Sequence, residues 1–292
     1  MANLKEIRNR IVSVSSTKQI TSAMKMVSAA KLRRAQDAIT QMRPYSKKLQ
    51  EILENLSSGL DSNEGIYSQE REVKNVLFVS ITANRGLCGG FNNNVIKTIK
   101  RVADKEYKGC NITIVSLGKK SNDSFKSSPW AEKGKSIYTK GISIIDDLTF
   151  SNASELAEIL MGEFAEKKQD KIVLVYNQFK NAAVQEIQLE QFLPIVPTQQ
   201  ANTKTSSIDY IFEPNKEFII NEMIPKSLKT QLFKALLDSR ASEHGARMTA
   251  MHKATDNATE LINSLKLSYN KARQAAITNE ILEIVAGAEA LK

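Results

Sequence analysis

Two long stretches at the ends of the chain contain almost no residues that break helices. The first runs from Asn3 to about Leu56, has no glycine and is interrupted only by Pro44. The second runs from Asn215 to Lys292 and holds two glycines and one internal proline, Pro225. Helices of these lengths would span about 80 Å and about 115 Å, more than the width of a compact domain. Their apolar stripes must therefore face another helix.

Apolar residues in both stretches recur in alternating steps of three and four, the repeat of a coiled-coil seam. The seam of the second stretch is predicted at Met248, Met251, Thr255, Ala258, Ile262, Leu265, Tyr269, Ala272 and Ala276. The seam of the first, less strict in its later part, is predicted at Leu4, Ile7, Ile11, Val14, Met24, Val27, Ala35, Ile39, Met42, Leu49 and Leu56. Because a folded middle must return the chain to its start, we expect the two helices to pair antiparallel. The alternative is that the two helices are ordinary members of a helix bundle.

The proline inside the second stretch should disturb its helix. At Pro225 we expect a kink or a restart of the helix.

The middle of the chain has the pattern of a small α/β domain. Short apolar, β-branched runs predict strands at 76–81, 112–117 and 172–176, with weaker candidates at 142–145 and 183–193. Helical patterns lie between them, the first capped by Asn92 or Asn93. This alternation predicts a mainly parallel, Rossmann-like sheet. The fold class is therefore α/β, with a long antiparallel coiled coil and an inserted domain; the predicted segments are 1–57, 72–197 and 209–292.

The positive charge of the chain is concentrated at one end. The chain carries 41 Lys and Arg against 32 Asp and Glu, a net charge of +9. Residues 1–50 hold 11 basic residues against two acids, which accounts for the whole excess. The basic residues of this first helix include Lys18, Lys25, Lys31, Arg33 and Arg34. Such a face suits an acidic protein partner or nucleic acid, although no aromatic residue precedes Tyr45 to stack on bases. A face that is merely solvated is the third possibility.

Bulk features favour a protein made and used on the cytosolic side. No apolar run approaches the roughly 20 residues that cross a bilayer, and no signal peptide begins the chain. The two cysteines, Cys88 and Cys110, do not form a disulfide framework, so we expect a reducing compartment and two small buried side chains.

No motif predicts catalysis, a metal or a cofactor. The glycines of the Gly86–Gly90 cluster have the wrong spacing for a dinucleotide fingerprint. The nearest approach to a phosphate loop is Gly118–Ser121, where Thr113 occupies the position of the earlier glycine. We instead expect the cluster to form a tight turn whose bare backbone contacts a partner.

The histidines and the paired carboxylates point the same way. His244 and His252 are eight residues apart, too far for the i, i+4 pair of a zinc protease. Asp146 and Asp147 are adjacent, so their side chains diverge, which favours a solvated turn over an acid/base pair.

Several motifs resemble the gamma subunits of rotary F-type ATP synthases. At the start these are Leu4 to Arg8, Arg10, Ile11, Thr17, Lys18, Ile20, Thr21, Ala23, Met24, Met26 and Val27. In the middle the family's glycine turn resembles Arg85 to Gly90, and at the end its signature resembles Ser242 to His244, Ala246 to Met248, Ala254 to Ala258 and Tyr269 to Thr278. One departure is Asn84, where the family commonly has aspartate. The extra cysteine pair of chloroplast members is also missing.

The resemblance implies a non-catalytic central shaft. Such a shaft enters a ring of alpha and beta subunits, rests with the epsilon subunit on the membrane ring of c subunits, and couples proton flow to the beta-subunit nucleotide sites. It would be a peripheral protein at the cytoplasmic face of a bacterial inner membrane, with no cofactor and no nucleic acid. The competing hypotheses are a basic coiled-coil protein that binds nucleic acid and a small nucleotide-dependent enzyme with helical arms.

Three sets of residues are expected to contact partners under this interpretation. A polar catch for the beta subunits is expected at Lys18, Lys25, Arg273, Gln274 and Thr278. An apolar tip that acts as a bearing is expected at Ile281, Leu282, Ile284, Val285 and Ala288. Contact with epsilon or the c ring is expected at Arg85, Gly86, Leu87, Cys88, Gly89 and Gly90.

Overall fold

The computed structural model describes residues 4–57, 66–69, 71–131, 144–195 and 216–289. Along the chain, two long helices precede and follow a small α/β arrangement, which confirms the predicted fold class. In chain order the elements are α1 (Leu4–Ser57), β1 (Asn75–Ile81), α2 (Phe91–Glu106), β2 (Asn111–Leu117), α3 (Lys119–Phe125), α4 (Phe150–Ala165), β3 (Lys171–Phe179), β4 (Gln185–Leu193) and α5 (Lys216–Glu289). The predicted domain ends at 197, 209 and 292 fall in segments 196–215 and 290–292, which lie outside the described residues.

Both terminal helices continue through their prolines. Pro44 lies inside α1 and Pro225 inside α5, so the restart that we expected at Pro225 does not occur. Proline removes one backbone hydrogen bond from a helix. The loss at Pro225 is offset by packing, because Leu228 and Leu232 are buried in the core just beyond it.

The sheet is mainly parallel, as predicted. Its strand order is β2-β1-β3-β4. β1 pairs in parallel with β2 on one side and with β3 on the other, while β4 closes the edge antiparallel to β3. β1 is therefore a central strand.

Alternate residues of β1 serve two separate cores. Leu77, Val79 and Ile81 pack with α4 and α5 on one face of the sheet. Val76 and Phe78 pack with α2 and with Phe125 of α3 on the other. Burial on both faces is the reason that this strand reads as an unbroken apolar run.

The strand predicted at 142–145 is wrong in its described part. Ile144 and Ile145 belong to a three-residue helical turn, and residues 142 and 143 lie outside the described residues. Ile144 is buried in the core beside α4. A short apolar run does not distinguish a strand from a buried helical turn by its period, which explains the error.

The described residues form two compact units. The first combines α1 up to Ala29 with α5 from Arg247 onward, and the second spans residues 30–246. In the first unit the Thr255 hydroxyl donates to the Thr21 hydroxyl at 2.8 Å, and Arg8 Nη2 donates to the Tyr269 hydroxyl at 2.8 Å. From the first bond to the second, the residue number falls along α1, from 21 to 8, and rises along α5, from 255 to 269. The helices α1 and α5 are therefore antiparallel in this unit.

The seam of α5 is as predicted, and among the described side chains that of α1 departs from the prediction at one position. All nine predicted seam residues of α5 are buried or half-buried. On α1, Val27 is 56% exposed, and the first unit instead places Lys18, Thr21, Lys25 and Ser28 at seam positions, each buried or half-buried. These residues continue the regular steps of Leu4, Ile7, Ile11 and Val14. A count of apolar residues alone misses them, because a lysine stem or a threonine methyl also fills a seam.

In the second unit α1 follows the prediction more closely. Ala35, Ile39 and Leu49 are buried there, and Met42 is half-buried. The side chain of Leu56 lies outside the described part of the chain.

Candidate functional site

The five residues of the apolar tip are all exposed. Ile281, Leu282, Ile284 and Val285 are each more than half exposed, and Ala288 is exposed as well. Successive helical residues are turned by about 100°, so these five side chains lie within an arc of roughly 160° and form one apolar stripe along α5. An exposed apolar stripe on a helix is typical of a surface that packs against another protein. That the tip contacts a partner stays a prediction.

The residues of the predicted catch do not form one cluster. Arg273, Gln274 and Thr278 are exposed near the tip, and the Thr278 hydroxyl donates to the Gln274 carbonyl oxygen at 2.9 Å. Lys18 and Lys25 are half-buried in the seam on either side of Thr21. Thr21 faces Thr255, which is 18 residues and about 27 Å along the helix from Arg273. The structure thus provides two polar sites at different heights.

Sequence reasoning missed a contact between α1 and α5 beside the exposed catch residues. Besides its hydrogen bond, the Arg8 guanidinium lies 5.7 Å from the centre of the Tyr269 ring. A cation over an aromatic face is attracted by the ring quadrupole. Tyr269 is a predicted seam residue, but no sequence signal indicates which residue of α1 it faces.

The glycine turn between β1 and α2 presents an exposed leucine. Leu87 is 63% exposed and has φ 62°, a left-handed conformation that side chains seldom adopt. Gly89 follows with φ 59°. An exposed apolar side chain held in an uncommon backbone conformation indicates a position shaped for contact.

The side chain of Asn92 connects the two ends of the turn through hydrogen bonds. The Asn92 side chain accepts from the Ala83 backbone N–H at 2.9 Å and donates to Cys88 Sγ at 3.1 Å. The predicted cap of α2 at Asn92 or Asn93 is wrong, because the N-cap is Gly90 and makes no side-chain bond. Asn92 lies inside the helix and spans the turn instead.

The position that departs from the resembling family has a polar contact of its own. The Asn84 side-chain oxygen accepts a hydrogen bond from the Lys119 backbone N–H at 2.9 Å. An amide oxygen suffices for this bond, so it does not require a carboxylate. Of the two cysteines, Cys88 is buried and Cys110 is half-buried, and neither is part of a disulfide.

An apolar cluster lies at the edge where a sheet of this topology would bind a ligand. In doubly wound folds ligands bind outside the carboxyl ends of the strands, where neighbouring connections diverge to opposite faces. Here Ala83, Cys88 and Phe91 form an apolar cluster with Ala246 of α5 at that edge. Asn177 of β3 donates to the Phe91 carbonyl oxygen at 3.2 Å and secures the cluster.

The Gly118–Ser121 segment serves packing rather than phosphate binding. Gly118 has φ +112°, and a Cβ there would lie 2.1 Å from the Thr82 backbone oxygen. The Ser121 hydroxyl is buried and donates to the Ser80 hydroxyl at 2.7 Å. The hydroxyl that a phosphate loop would offer to a metal is thus engaged inside the core.

The other polar candidates also lie apart. His244 is buried, whereas His252 is exposed and 3.1 Å from Asp256. Asp146 and Asp147 are exposed. No group of three or more metal-binding side chains occurs in the part of the chain that the structure describes. Within the same ranges, no helix combines the length and apolarity needed to cross a membrane.

Comparison with known proteins decides between the competing hypotheses. A sequence model of a family described as ATP synthase matches residues 3–291. The ATP synthase gamma chain of Christiangramia forsetii is 63% identical over all of this chain and 99% of its own length, and that of Flavobacterium psychrophilum is 61% identical over the full length of both. The chain belongs to the ATP synthase gamma-chain family.

Solved structures agree with this membership at the level of the fold. A chain of the Euglena gracilis mitochondrial ATP synthase, in a structure of its OSCP, F1 and c ring, aligns over 99% of this chain and 94% of its own length with a TM-score of 0.68 at 21% identity. A rotor chain of the same enzyme aligns over 94% of this chain and 98% of its own length with a TM-score of 0.64 at 22% identity. The family resemblance of the sequence motifs is therefore confirmed.

Proposed function

We propose that this gamma chain is the non-catalytic central shaft of a proton-translocating ATP synthase. Its partners are the alpha and beta subunits of the catalytic head, the epsilon subunit and the c ring, and it lies at the cytoplasmic face of a bacterial inner membrane. Membership of the gamma-chain family carries the proposal. The exposed apolar tip supports it, because an exposed apolar stripe of this kind is typical of a surface that contacts another protein.

The shaft acts on the nucleotide sites through its orientation. An asymmetric shaft presents a different face to each beta subunit, so each rotational position favours a different set of beta conformations. The work done at a site equals the difference in contact free energy between its conformations. Rotation of the shaft therefore drives the sites through binding and release in turn.

The tip and the catch divide this work by the nature of their contacts. Apolar contacts have no preferred direction, so Ile281, Ile284 and their neighbours form a bearing that turns with low resistance. Hydrogen bonds are directional, so the exposed Arg273 and Gln274 side chains engage acidic loops of the head only at certain angles. We assign them the strongest catch contact, worth about 1 to 3 kcal/mol when the head partly buries it.

The glycine turn, Arg85 to Gly90, is the contact with epsilon or the c ring. Asn92 accepts a hydrogen bond from the backbone before the turn, and Cys88 of the turn belongs to the same buried cluster as Ala246. These contacts restrict the backbone that carries the exposed Leu87. A rigid, exposed leucine loses little conformational entropy on binding.

Native purification tests the proposed function as a whole. A tagged chain purified from solubilised membranes of its own cells should bring with it the alpha, beta and epsilon subunits and ATPase activity, while the isolated chain should hydrolyse no ATP. Recovery of nucleic acid, or of a lone active chain, would overturn the proposal.

A paired substitution tests the catch. Arg273→Ala with Gln274→Ala should lower ATP turnover and proton pumping in the assembled complex. Asn263→Ala with Lys266→Ala, which also removes two exposed polar side chains of α5, is the matched control and should leave both unchanged. Equal effects of the two pairs would show that Arg273 and Gln274 have no special role.

A further inference from the structure

A single arginine of α1 joins three elements of the second unit. Nη2 of Arg43 donates to the backbone oxygen of Phe179, the last residue of β3, at 2.9 Å. The same nitrogen donates to Oδ1 of Asp238 on α5 at 3.0 Å. Arg43 is about half exposed, whereas the Asp238 side chain is fully buried. One guanidinium thus ties the first helix to both the sheet and the last helix.

Asp238 depends on this contact for charge compensation. Burial raises the pKa of its carboxyl group, and the hydrogen bond and charge of Arg43 act in the opposite direction. Among the described residues, Oδ2 of Asp238 has no hydrogen-bond partner. The charge of Lys234 and a backbone hydrogen bond from Phe179 act in the same direction as Arg43, with smaller effect. A buried carboxylate with one unsatisfied oxygen is costly, so Arg43, its largest compensating contact, fixes its position.

The ion pair is one end of a polar stripe on α5. Gln231, Lys234 and Asp238 follow each other at helical spacing on one face. Gln231 Nε2 donates to Oε1 of Glu190 at 2.9 Å, and Lys234 Nζ lies 3.7 Å from the same atom. The Tyr176 hydroxyl donates to the other oxygen of Glu190. α5 therefore meets the β3–β4 hairpin through directional contacts at this level.

Several other residues of α1 in this unit contribute apolar burial. Leu32, Ala35, Ile39 and Leu49 are buried apolar residues. Apolar burial holds a helix in place without fixing its rotation sharply, because it is non-directional. A charged hydrogen bond with two acceptors on different elements does fix rotation and register.

We propose that Arg43 is a positioning residue that fixes α1 on the α/β unit, so that torque reaches α1 without slip. This inference rests on the proposed function as a rotary shaft. Under this inference the Arg43–Asp238 ion pair contributes to the coupling of ATP hydrolysis to proton pumping, in addition to its contribution to the stability of the fold.

Four variants of the full chain in the assembled complex separate these two parts. Arg43→Met keeps the length of the side chain and removes every donor. Arg43→Met with Asp238→Asn also removes the buried charge. Arg43→Lys restores several N–H donors on one nitrogen. Gln41→Ala, an exposed residue of the same helix, is the control. Each complex is measured for thermal stability and for protons pumped per ATP hydrolysed.

The expected results differ between the variants. Arg43→Met lowers the Tm by about 5 °C, because it leaves a buried carboxylate unpaired, and it lowers the number of protons pumped per ATP. The double variant regains the Tm but keeps the coupling loss, whereas Arg43→Lys regains both. Gln41→Ala matches the wild type.

Two results would overturn the inference. One is normal coupling in the double variant, which would make the pair a matter of stability alone. The other is normal coupling in Arg43→Met itself. Neither result would contradict the proposed function, because that function fails only if the wild-type chain does not assemble with the catalytic head.

Discussion

At the scale of single residues, Gly118 is a position where the backbone leaves no room for a side chain. A Cβ there would lie 2.1 Å from the Thr82 oxygen and 2.7 Å from its carbonyl carbon. Gly118→Ala should therefore lower the free energy of unfolding by about 3 to 5 kcal/mol, from the clash and the positive φ together. Urea denaturation of the full chain followed by circular dichroism measures the change.

Gly109 provides the matched control for Gly118. It also has a positive φ, +94°, but a Cβ there would meet nothing within 4 Å. Gly109→Ala should lower the free energy of unfolding only by the cost of the positive φ, about 1 to 2 kcal/mol. If both substitutions cost the same, the contact with Thr82 is not what excludes a side chain at Gly118.

Asp238 makes the stability of the chain depend on pH in a direction opposite to that of most carboxylates. Burial raises its pKa in the folded chain, whereas in the unfolded chain an aspartate titrates near pH 4, at about 3.9. Between these two pKa values the folded chain holds a proton that the unfolded chain has released. The free energy of unfolding therefore falls as pH rises through this window.

Asp238→Asn isolates that contribution, because an amide does not titrate. The difference in the free energy of unfolding, variant minus wild type, should grow as pH rises from about 4 and level off above the raised pKa. Urea unfolding of both proteins at a series of pH values measures the difference. A difference that stayed constant with pH, or shrank, would show that burial does not control this carboxyl group.

At the scale of elements, α5 uses isoleucine for two separate purposes. Ile262 is 9% exposed in the seam with α1, whereas Ile281 in the tip is 55% exposed. Ile262→Ala should lower the free energy of unfolding of the full chain by about 2 to 4 kcal/mol. Ile281→Ala should change it by less than about 0.5 kcal/mol, because most of the residue is already exposed to solvent.

In the assembled complex the tip substitution should show its effect. There Ile281→Ala removes apolar contact with the proposed sleeve, so the rate of ATP hydrolysis should fall although the chain is as stable as the wild type. Denaturation of the free chain and ATPase assays of the complex check the two halves. An unchanged ATPase rate would mean that Ile281 is not part of the bearing.

The two helices differ in how much of their pairing the sequence predicts. The seam of α5 is apolar at nearly every position, so its period alone locates it. The seam of α1 passes through Lys18, Thr21, Lys25 and Ser28, whose polar ends conceal that their stems are buried. Burying a polar residue in a seam costs free energy unless a residue of the other helix contacts it, as Thr255 contacts Thr21.

The same distinction applies to the contact surfaces. The tip and the glycine turn are local in sequence, so composition and glycine spacing are enough to propose them as contact surfaces. The Arg43–Asp238 link joins residues 195 positions apart, and the Arg8–Tyr269 contact joins residues 261 apart. Local patterns carry no information about the register between distant helices, which is why the sequence predicts neither pair.

At the scale of the whole molecule, the described part of the α/β unit has the sheet of a nucleotide-binding fold with an apolar edge. Where such a sheet would receive a nucleotide, this chain places the buried residues Ala83, Cys88, Phe91 and Ala246. The hydroxyl of Ser121 is bonded inside the core. The sheet therefore serves to hold the two long helices and the glycine turn, and fold alone does not imply nucleotide chemistry.

We therefore expect the isolated full chain to bind no nucleotide. Calorimetric titration with magnesium ATP should show no saturable heat, because opening the crevice would require exposure of Phe91 and loss of the Asn177 bond. The complex with alpha and beta subunits, titrated in the same way, is the positive control. Saturable binding to the isolated chain that disappears with Lys119→Ala or Lys120→Ala would instead make Gly118–Ser121 a phosphate site, and the chain would then carry nucleotide chemistry of its own.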